Sequence, residues 1–304
     1  MNRIKCIIIV GILLAVLFST AYAGDNNHAL PYIRMGLGAK ALAMGSAFTA
    51  NADNISAGYW NPAGLTKIEN IEIGSMYSAN MGMDRTYNYA GIGMKLDFGA
   101  IALSWINAGW EDFEGYENGA YTGDFNVQDH NISVSYGREF SNLGVGILRV
   151  GATIKTYLQS IDEEMESGFG FDFGAMFQPI DMVSLGLMFR DIAGKLGDDD
   201  IPYQGNFGVS VFPIEGVAIS ADLRNEKEST DVKLCVGGEY VLDLDKLTNF
   251  DAKPALRVGL NDNNLTAGIG FMLKMIEVNY AYTSDTSEDE IFDDSHRISL
   301  LLRF

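Results

Sequence analysis

Cysteine is nearly missing from this sequence. Only Cys6 and Cys235 are present in 304 residues, and Cys6 lies in an N-terminal run that reads as removable. The single thiol then left cannot form an intramolecular disulfide. Long apolar stretches are missing too: beyond residue 23 no run of 18 or more apolar residues occurs, which excludes transmembrane helices by hydropathy. Positive charge is in deficit, with 21 Lys and Arg against 40 Asp and Glu and a net charge of −19. Nucleic acid is thereby excluded as a partner. Histidine is limited to His28, His130 and His296, and neither HExxH nor GxSxG occurs, so no catalytic residue, metal ligand set or cofactor is assigned. With only 6 Pro beside 34 Gly, 17 Phe and 14 Tyr, the composition is that of a β-rich chain with aromatic belts.

What is present begins with MNRIKCIIIVGILLAVLFSTAYA, where Arg3 and Lys5 precede an apolar run and Ala21-Tyr22-Ala23 forms a small-residue cleavage site. Residues 1–23 therefore read as a cleaved signal peptide, the apolar run being shorter than the roughly 20 residues of a spanning helix. Export without transmembrane helices leads to the periplasm, the medium or an outer-membrane barrel.

From residue 70 onward the chain alternates with period two. Val217, Ile219, Ala221 and Leu223 share one face and Ser220, Asp222 and Arg224 the other; Ile298, Leu300, Leu302 and Phe304 oppose Arg297 and Arg303. Fourteen such segments start near residues 71, 87, 99, 129, 144, 168, 182, 203, 216, 231, 254, 265, 275 and 295. An even count suits a closed bacterial barrel. Counting back from the C-terminus, the turns DFGA, SNLG, QPID, FPIEG and LKMIE are tight and fall on one side, and LDLDKLTNFDAK is a long exception. The opposite connections, 107–128, 159–167, 191–202, 225–230, 261–264 and 284–295, carry more than half of the 40 acidic residues. Short turns on one side and long loops on the other mark an outer-membrane barrel rather than a soluble sandwich. The expected fold is all-β, a 14-stranded antiparallel transmembrane β-barrel over residues 70–304 in the bacterial outer membrane, with outer-membrane lipid around it.

Residues 24–69 do not alternate, and small residues dominate from Met35 to Ala52. Such a stretch packs closely where a bulky helix would not fit, which predicts a plug inside the lumen. Trp60, Asn61, Pro62, Ala63 and Gly64 form the turn that ends it and leads into the wall.

The run IRMGLGAKALAMGSAFTANADNISAGYWNPAGL, residues 33–65, resembles the N-terminal signature of the PorV/PorQ family, a branch of the FadL-like outer-membrane barrels. That resemblance implies fourteen strands, an N-terminal plug, and a part in protein secretion or in attaching proteins to the surface through acidic outer loops, as in type IX secretion. Asp53 and Asn54 stand where the family often has an acidic pair, and Ala43-Met44-Gly45-Ser46 where it has Gly-Met-Gly-Gly. The terminal Phe304 is similar to the aromatic by which outer-membrane proteins reach their insertion machinery.

Gly36, Gly38 and Ala41 match a dinucleotide fingerprint loosely, but no strand precedes them and no βαβ unit follows, so close packing explains them. Asp198-Asp199-Asp200 and Asp162-Glu163-Glu164 lack the spacing of a cation loop and read as solvated acidic faces. Strand parity turns Arg149, Asp172, Arg190, Asp222, Arg224, Glu239 and Arg257 inward. Both signs are present, which suits either a network holding the plug or a conduction path. Two functions follow: a non-enzymatic barrel whose partners are secretion-system or exported proteins, and a FadL-like channel for hydrophobic small molecules such as long-chain fatty acids.

Overall fold

A computed structural model of the chain describes residues 30–79, 85–117, 119–141, 144, 146–162, 164–227, 232–248, 250–284 and 294–304. The signal-peptide segment, residues 1–23, lies outside the described residues, as do Cys6 and His28.

The wall is built from β1 (Ile71–Ala79), β2 (Thr86–Leu96), β3 (Gly99–Glu117), β4 (Ala120–Phe140), β5 (Ile147–Ile161), β6 (Glu164–Ile180), β7 (Val183–Leu196), β9 (Gln204–Val211), β10 (Val217–Glu226), β11 (Lys233–Val241), β12 (Ala252–Asn261), β13 (Asn264–Leu273), β14 (Ile276–Thr283) and β15 (Ser295–Arg303). A three-residue β8 (Asp199–Ile201) pairs with β7 alone. All pairings are antiparallel; β1 joins β15 and β6 joins β7, so the fourteen strands close into a barrel without an edge.

Alternation locates the strands because lipid demands an apolar outward face, and the demand ends where the membrane ends. Residues 107–128, 159–167 and 191–202, expected as loops, are largely strand. In β3 and β4, residues 113–117 and 120–125 pair only with each other, beyond the last partners of β2 and β5. Backbone pairing continues there while Glu111, Asp112 and Glu114 break the period, since neither face of the hairpin must be greasy.

The polarity of the wall is inverted relative to a soluble protein. Outward residues such as Leu256 (63% exposed), Val258 (65%) and Ile269 (58%) are apolar, while inward Asn206, Ser210, Asp222 and Asn279 are at most 1% exposed. An apolar surface encircling buried polar groups is what a bilayer selects. His130 and His296 lie on the outward side, stacked against Trp105 and Tyr280.

Residues 30–68 run through the lumen. Arg34 reaches Glu226 at the long-loop end of β10, whereas Asn70 and Ile71 bond Lys95 and Phe304 at the short-turn end. The segment holds only short turns: 3₁₀ at Pro31–Arg34 and Pro62–Lys67, α at Ala39–Ala43 and Ala57–Trp60. Ala39, Ala43, Met44, Ala47, Phe48, Ala50, Ala52, Ala57 and Ala63 are wholly buried.

Wall glycines make room for it. Gly137, Gly151 and Gly174 are consecutive partners across β4, β5 and β6 and lie under Asn61 and Pro62; Gly186 and Gly208 lie under Thr49, and Gly237 and Gly259 under Met44. At each of these positions but Gly208 a Cβ would collide with the luminal chain; at Gly208 it would meet the wall's Asp222 carboxylate, which itself bonds Phe48 and Thr49. Gly45 bears a second constraint, a φ of +62° against the backbone of Val236 and Leu260.

Gly259→Val is expected to destabilise the barrel by about 1–3 kcal/mol through overpacking. Gly238→Val, on the outward face with open space around its Cβ position, is expected to be silent. Urea midpoints of heat-modifiable bands on gels test this; equal midpoints would show that the glycine band is not a packing surface.

Candidate functional site

The site is the interface between residues 30–68 and the inner wall. Irregular backbone at membrane depth is tolerated only when its N–H and C=O groups find partners, and charged wall side chains supply them. Asp222 accepts from Phe48 N at 3.0 Å and Thr49 N at 2.9 Å, and Glu72 accepts from Ile55 N. Arg190 donates to Tyr59 O at 3.0 Å, Arg297 to Met35 O at 2.9 Å, and Arg224 to Ser46 O. Thr266 serves both ends of one turn, accepting from Gly45 N and donating to Ala43 O.

The aromatic pair at the centre explains why arginines occupy these places. The Arg190 guanidinium lies 3.6 Å from the Tyr59 ring centroid and that of Arg224 5.3 Å from Trp60. A flat cation satisfies a carbonyl at its edge and an aromatic face on its plane. Trp60 Nε1 donates to Leu37 O at 2.7 Å, and Tyr59 Oη donates to Ile33 O while accepting from Gly36 N. These bonds fold the segment back on itself.

Asn61 does more than start a turn. Its Nδ2 lies within reach of Thr49 O, Ala175 O and Leu187 O, at 2.8, 3.1 and 3.4 Å, while Oδ1 accepts from Ala63 N. One amide thus bridges the luminal chain to β6 and β7. Pro62 fits the 3₁₀ turn that follows, where no N–H is needed, and Gly64 lies where a Cβ would meet the Ala52 carbonyl.

Asp53 pairs with Lys40 at 2.7 Å. Burial opposes both charges, but Asp53 and Glu239 hold the Lys40 ammonium above the usual lysine range, and Lys40 with Lys67 draws the Asp53 carboxyl below its own. Asn54 accepts from Ser56 N and Ser56 Oγ in a local turn.

Charges gather at the two ends of the segment. At the short-turn end Lys40 reaches Glu239 at 3.6 Å, Arg257 bonds Glu239 and Asn279, and Arg303 bonds Glu72 and Glu277. Arg149 lies at the same end but bonds Glu139 and Gln178 within the wall. At the long-loop end Lys155 lies between Asp172 at 2.8 Å and Asp191 at 2.7 Å. Arg34 bonds Asp191, Glu226 and Pro202 O there. Phe304 is exposed and pairs its backbone with Ile71, sealing β1 to β15.

Asp191 was not among the expected inward residues. Parity places it on the lipid side with Phe189, but β6 and β7 shift register between Phe173 and Phe171, and both Arg190 and Asp191 turn inward. A bulge re-aims a side chain in this way. The readable signal was the carboxylate itself, which is costly on the lipid-facing side of a strand. Among the described residues no group of three or more His, Cys, Asp and Glu side chains could hold a metal ion.

A closed 14-stranded antiparallel barrel with a greasy exterior defines the class: a β-barrel of the bacterial outer-membrane type. The toluene transporter TbuX of Ralstonia pickettii shares the fold over 88% of this chain and 98% of its own, with a TM-score of 0.61 and 12% identity. For the toluene transporter TodX of P. putida the shares are 88% and 99%, with the same score and identity. A FadL homologue of Pseudomonas aeruginosa matches over 84% and 95% with a TM-score of 0.52 and 11% identity. At these identities the likeness is one of fold. No family model matches the sequence, and no curated protein matches it.

Asp222→Ala removes the acceptor of two buried N–H groups and is expected to loosen the segment by about 1–3 kcal/mol for each. Trypsin cleavage after Lys40 in the folded protein should accelerate, and Asp222→Asn, which keeps one carbonyl acceptor, should fall between. Unchanged cleavage in Asp222→Ala would mean that the segment is held elsewhere.

Proposed function

We propose that this protein is a non-enzymatic outer-membrane channel for a small hydrophobic solute, held closed here by residues 24–69 acting as a plug. The observation that carries this reading is the lining of the lumen at the long-loop end. Leu30, Tyr32, Ile33 and Leu37 fill a space bounded by buried Tyr87, Ile106, Ala108, Tyr157, Leu196 and Ile201. If the chain withdrew, an apolar throat with a few phenolic hydroxyls would remain, beside the buried Lys155, Asp172 and Asp191 cluster to which Tyr157 donates; apolar walls with a few convergent polar groups are the usual composition of a site for a hydrophobic ligand. Among the described residues the Tyr32 and Tyr87 hydroxyls have no hydrogen-bond partner. The fold's likeness to toluene transporters and to the monoaromatic hydrocarbon channel CymD supports the same solute class.

The anchor of the closed state is Arg34. Its removal leaves Asp191 still bonded to Lys155 and Tyr157, so the barrel keeps its buried charge paired. Intact bacteria producing Arg34→Ala are expected to take up radiolabelled toluene several-fold faster than those producing the unaltered chain at equal surface level. Equal uptake by both, at the level of cells lacking the barrel, would sink the channel reading.

A second reading, secretion or surface attachment of proteins, is favoured by the β3–β4 hairpin and by the PorV/PorQ resemblance of residues 33–65. The hairpin rises beyond its neighbours and displays exposed Tyr116 and Tyr121, bonded to Glu114 and Asp124. An acidic, aromatic projection suits a basic protein partner. If this reading holds, shortening the hairpin at 111–126 will abolish co-purification of secretion-system or exported proteins from detergent-solubilised outer membranes, with the barrel still folded. Unaltered co-purification would exclude the hairpin as the docking element.

A further inference from the structure

The lipid-facing side of β1 to β4 turns polar near its outer rim. Strand register sets Tyr77, Asn88, Asn107 and His130 opposite one another on these four consecutive strands. Their chain neighbours Tyr87, Tyr89, Ile106, Ala108 and Asp129 are buried on the inner side, so the row faces outward. Toward the short turns the same face is apolar, with Ile92, Leu103, Trp105, Ile132 and Val134 all exposed. From Gly99 to Asn107, β3 covers about 26 Å at roughly 3.3 Å per residue, which with tilt carries it most of the way across an apolar band about 25 Å tall. The row thus stands where hydrocarbon gives way to head groups, and in the membrane the polar end of a lipid covers it. This placement does not depend on the channel reading.

Hydrogen bonds tie the row into one unit. Asn88 Nδ2 donates to Asn107 Oδ1 at 3.5 Å, and Asn107 Nδ2 donates to Gln128 Oε1 at 3.0 Å. Trp105 Nε1 donates to His130 Nδ1 at 3.3 Å, and the two rings stack with centroids 5.9 Å apart and planes 23° from parallel. An indole nitrogen only donates, so His130 Nδ1 is the acceptor and the ring proton sits on Nε2. Three valences are left over. Among the described residues, Asn88 Oδ1, Gln128 Nε2 and His130 Nε2 make no hydrogen bond, which leaves one acceptor and two donors flanked by the exposed rings of Tyr77 and Trp105.

A hydroxyl both donates and accepts, whereas an ionised phosphate oxygen only accepts. Donors and an acceptor held side by side therefore match hydroxyls, and flat aromatic faces beside them match the C–H faces of a sugar. No Lys or Arg belongs to the row, and the hairpin that rises from β3 and β4 carries Glu114 and Asp124, so the local charge opposes an anionic head group. His296 supplies the contrast. It also stacks on an aromatic ring, Tyr280, and bonds it through Nδ1, but its cross-strand partners are Ala79 and Tyr282, without an amide. We propose that the outward face of β1 to β4 binds the sugar head group of an uncharged glycolipid. Asn88, Gln128 and His130 bond its hydroxyls, Tyr77 and Trp105 meet its ring faces, and Asn107 positions the other three.

The test is native mass spectrometry of the full chain released from an amine-oxide detergent, which has no hydroxyls, after addition of equimolar glucosyl-dioleoylglycerol, dioleoylphosphatidylglycerol and dioleoylphosphatidylcholine. The glucosyl lipid should be retained at least five-fold more than either phospholipid. Asn107→Leu removes the hub of the network, and His130→Phe keeps a ring on Trp105 but loses the donor. Each should lower retention of the glucosyl lipid to the phospholipid level with heat modifiability unchanged, and His296→Phe should leave it unaltered. Equal retention of the three lipids, preference for phosphatidylglycerol, a glucosyl adduct indifferent to Asn107→Leu and His130→Phe, or an equal loss in His296→Phe would each overturn the proposal.

Discussion

The constraint on which this structure depends is the hydrogen bonding of an irregular chain at membrane depth. Residues 30–68 hold only short turns, so most of their N–H and C=O groups have no ladder of their own, and each left bare would cost several kcal/mol. The charged inner wall answers that need. Asp222 and Glu72 receive N–H groups, and Arg190, Arg224, Arg297 and Lys95 reach carbonyls. Much of the lumen's charge is therefore directed at the main chain of the segment. This explains why both signs occur: a backbone offers donors and acceptors alike.

Seen this way, the two ends of the lumen differ in kind. Toward the long loops the segment presents Leu30, Tyr32 and Ile33 to apolar and tyrosine side chains and Arg34 to Asp191 and Glu226. Toward the short turns it presents Lys40, Asp53 and Lys67 to a paired ionic lattice with a cavity beside it. One stretch of chain separates a mostly apolar compartment that holds one ionic cluster from a lattice of ion pairs, with the Tyr59, Trp60 and Arg190 stack between them.

The wall was legible in the sequence because lipid enforces period two on every strand it touches. Where that enforcement ends, legibility ends with it, and the outer halves of β3 and β4 read as loop although their backbones pair. Inward charges such as Asp222 and Arg257 followed from parity, and Asp191 did not, because it was read as the first residue of the loop 191–202, whereas β7 continues through it with a bulge that turns it inward. The small-residue run from Met35 to Ala52 announced close packing. Its counterpart, the band of wall glycines, was hidden: which glycines lie side by side depends on strand register, and that is a property of pairs of segments. Asn61 read as a turn residue, and its bonds to the carbonyls of Ala175 and Leu187 depend on two strands more than a hundred positions away.

The threading of the segment has a consequence for folding. The wall's own contacts are mostly between successive hairpins, which are close in sequence and quick to find one another. The segment's bonds span 192 residues from Arg34 to Glu226, 260 from Ala39 to Ser299 and 262 from Met35 to Arg297. Contacts of such separation carry the largest loop-closure entropy and form late. Two of these three involve β15, the strand that completes the ring against β1. The wall can zip hairpin by hairpin, but the bonds that hold its contents wait for the closing pair, and what lies inside the ring sets the clock for the ring around it.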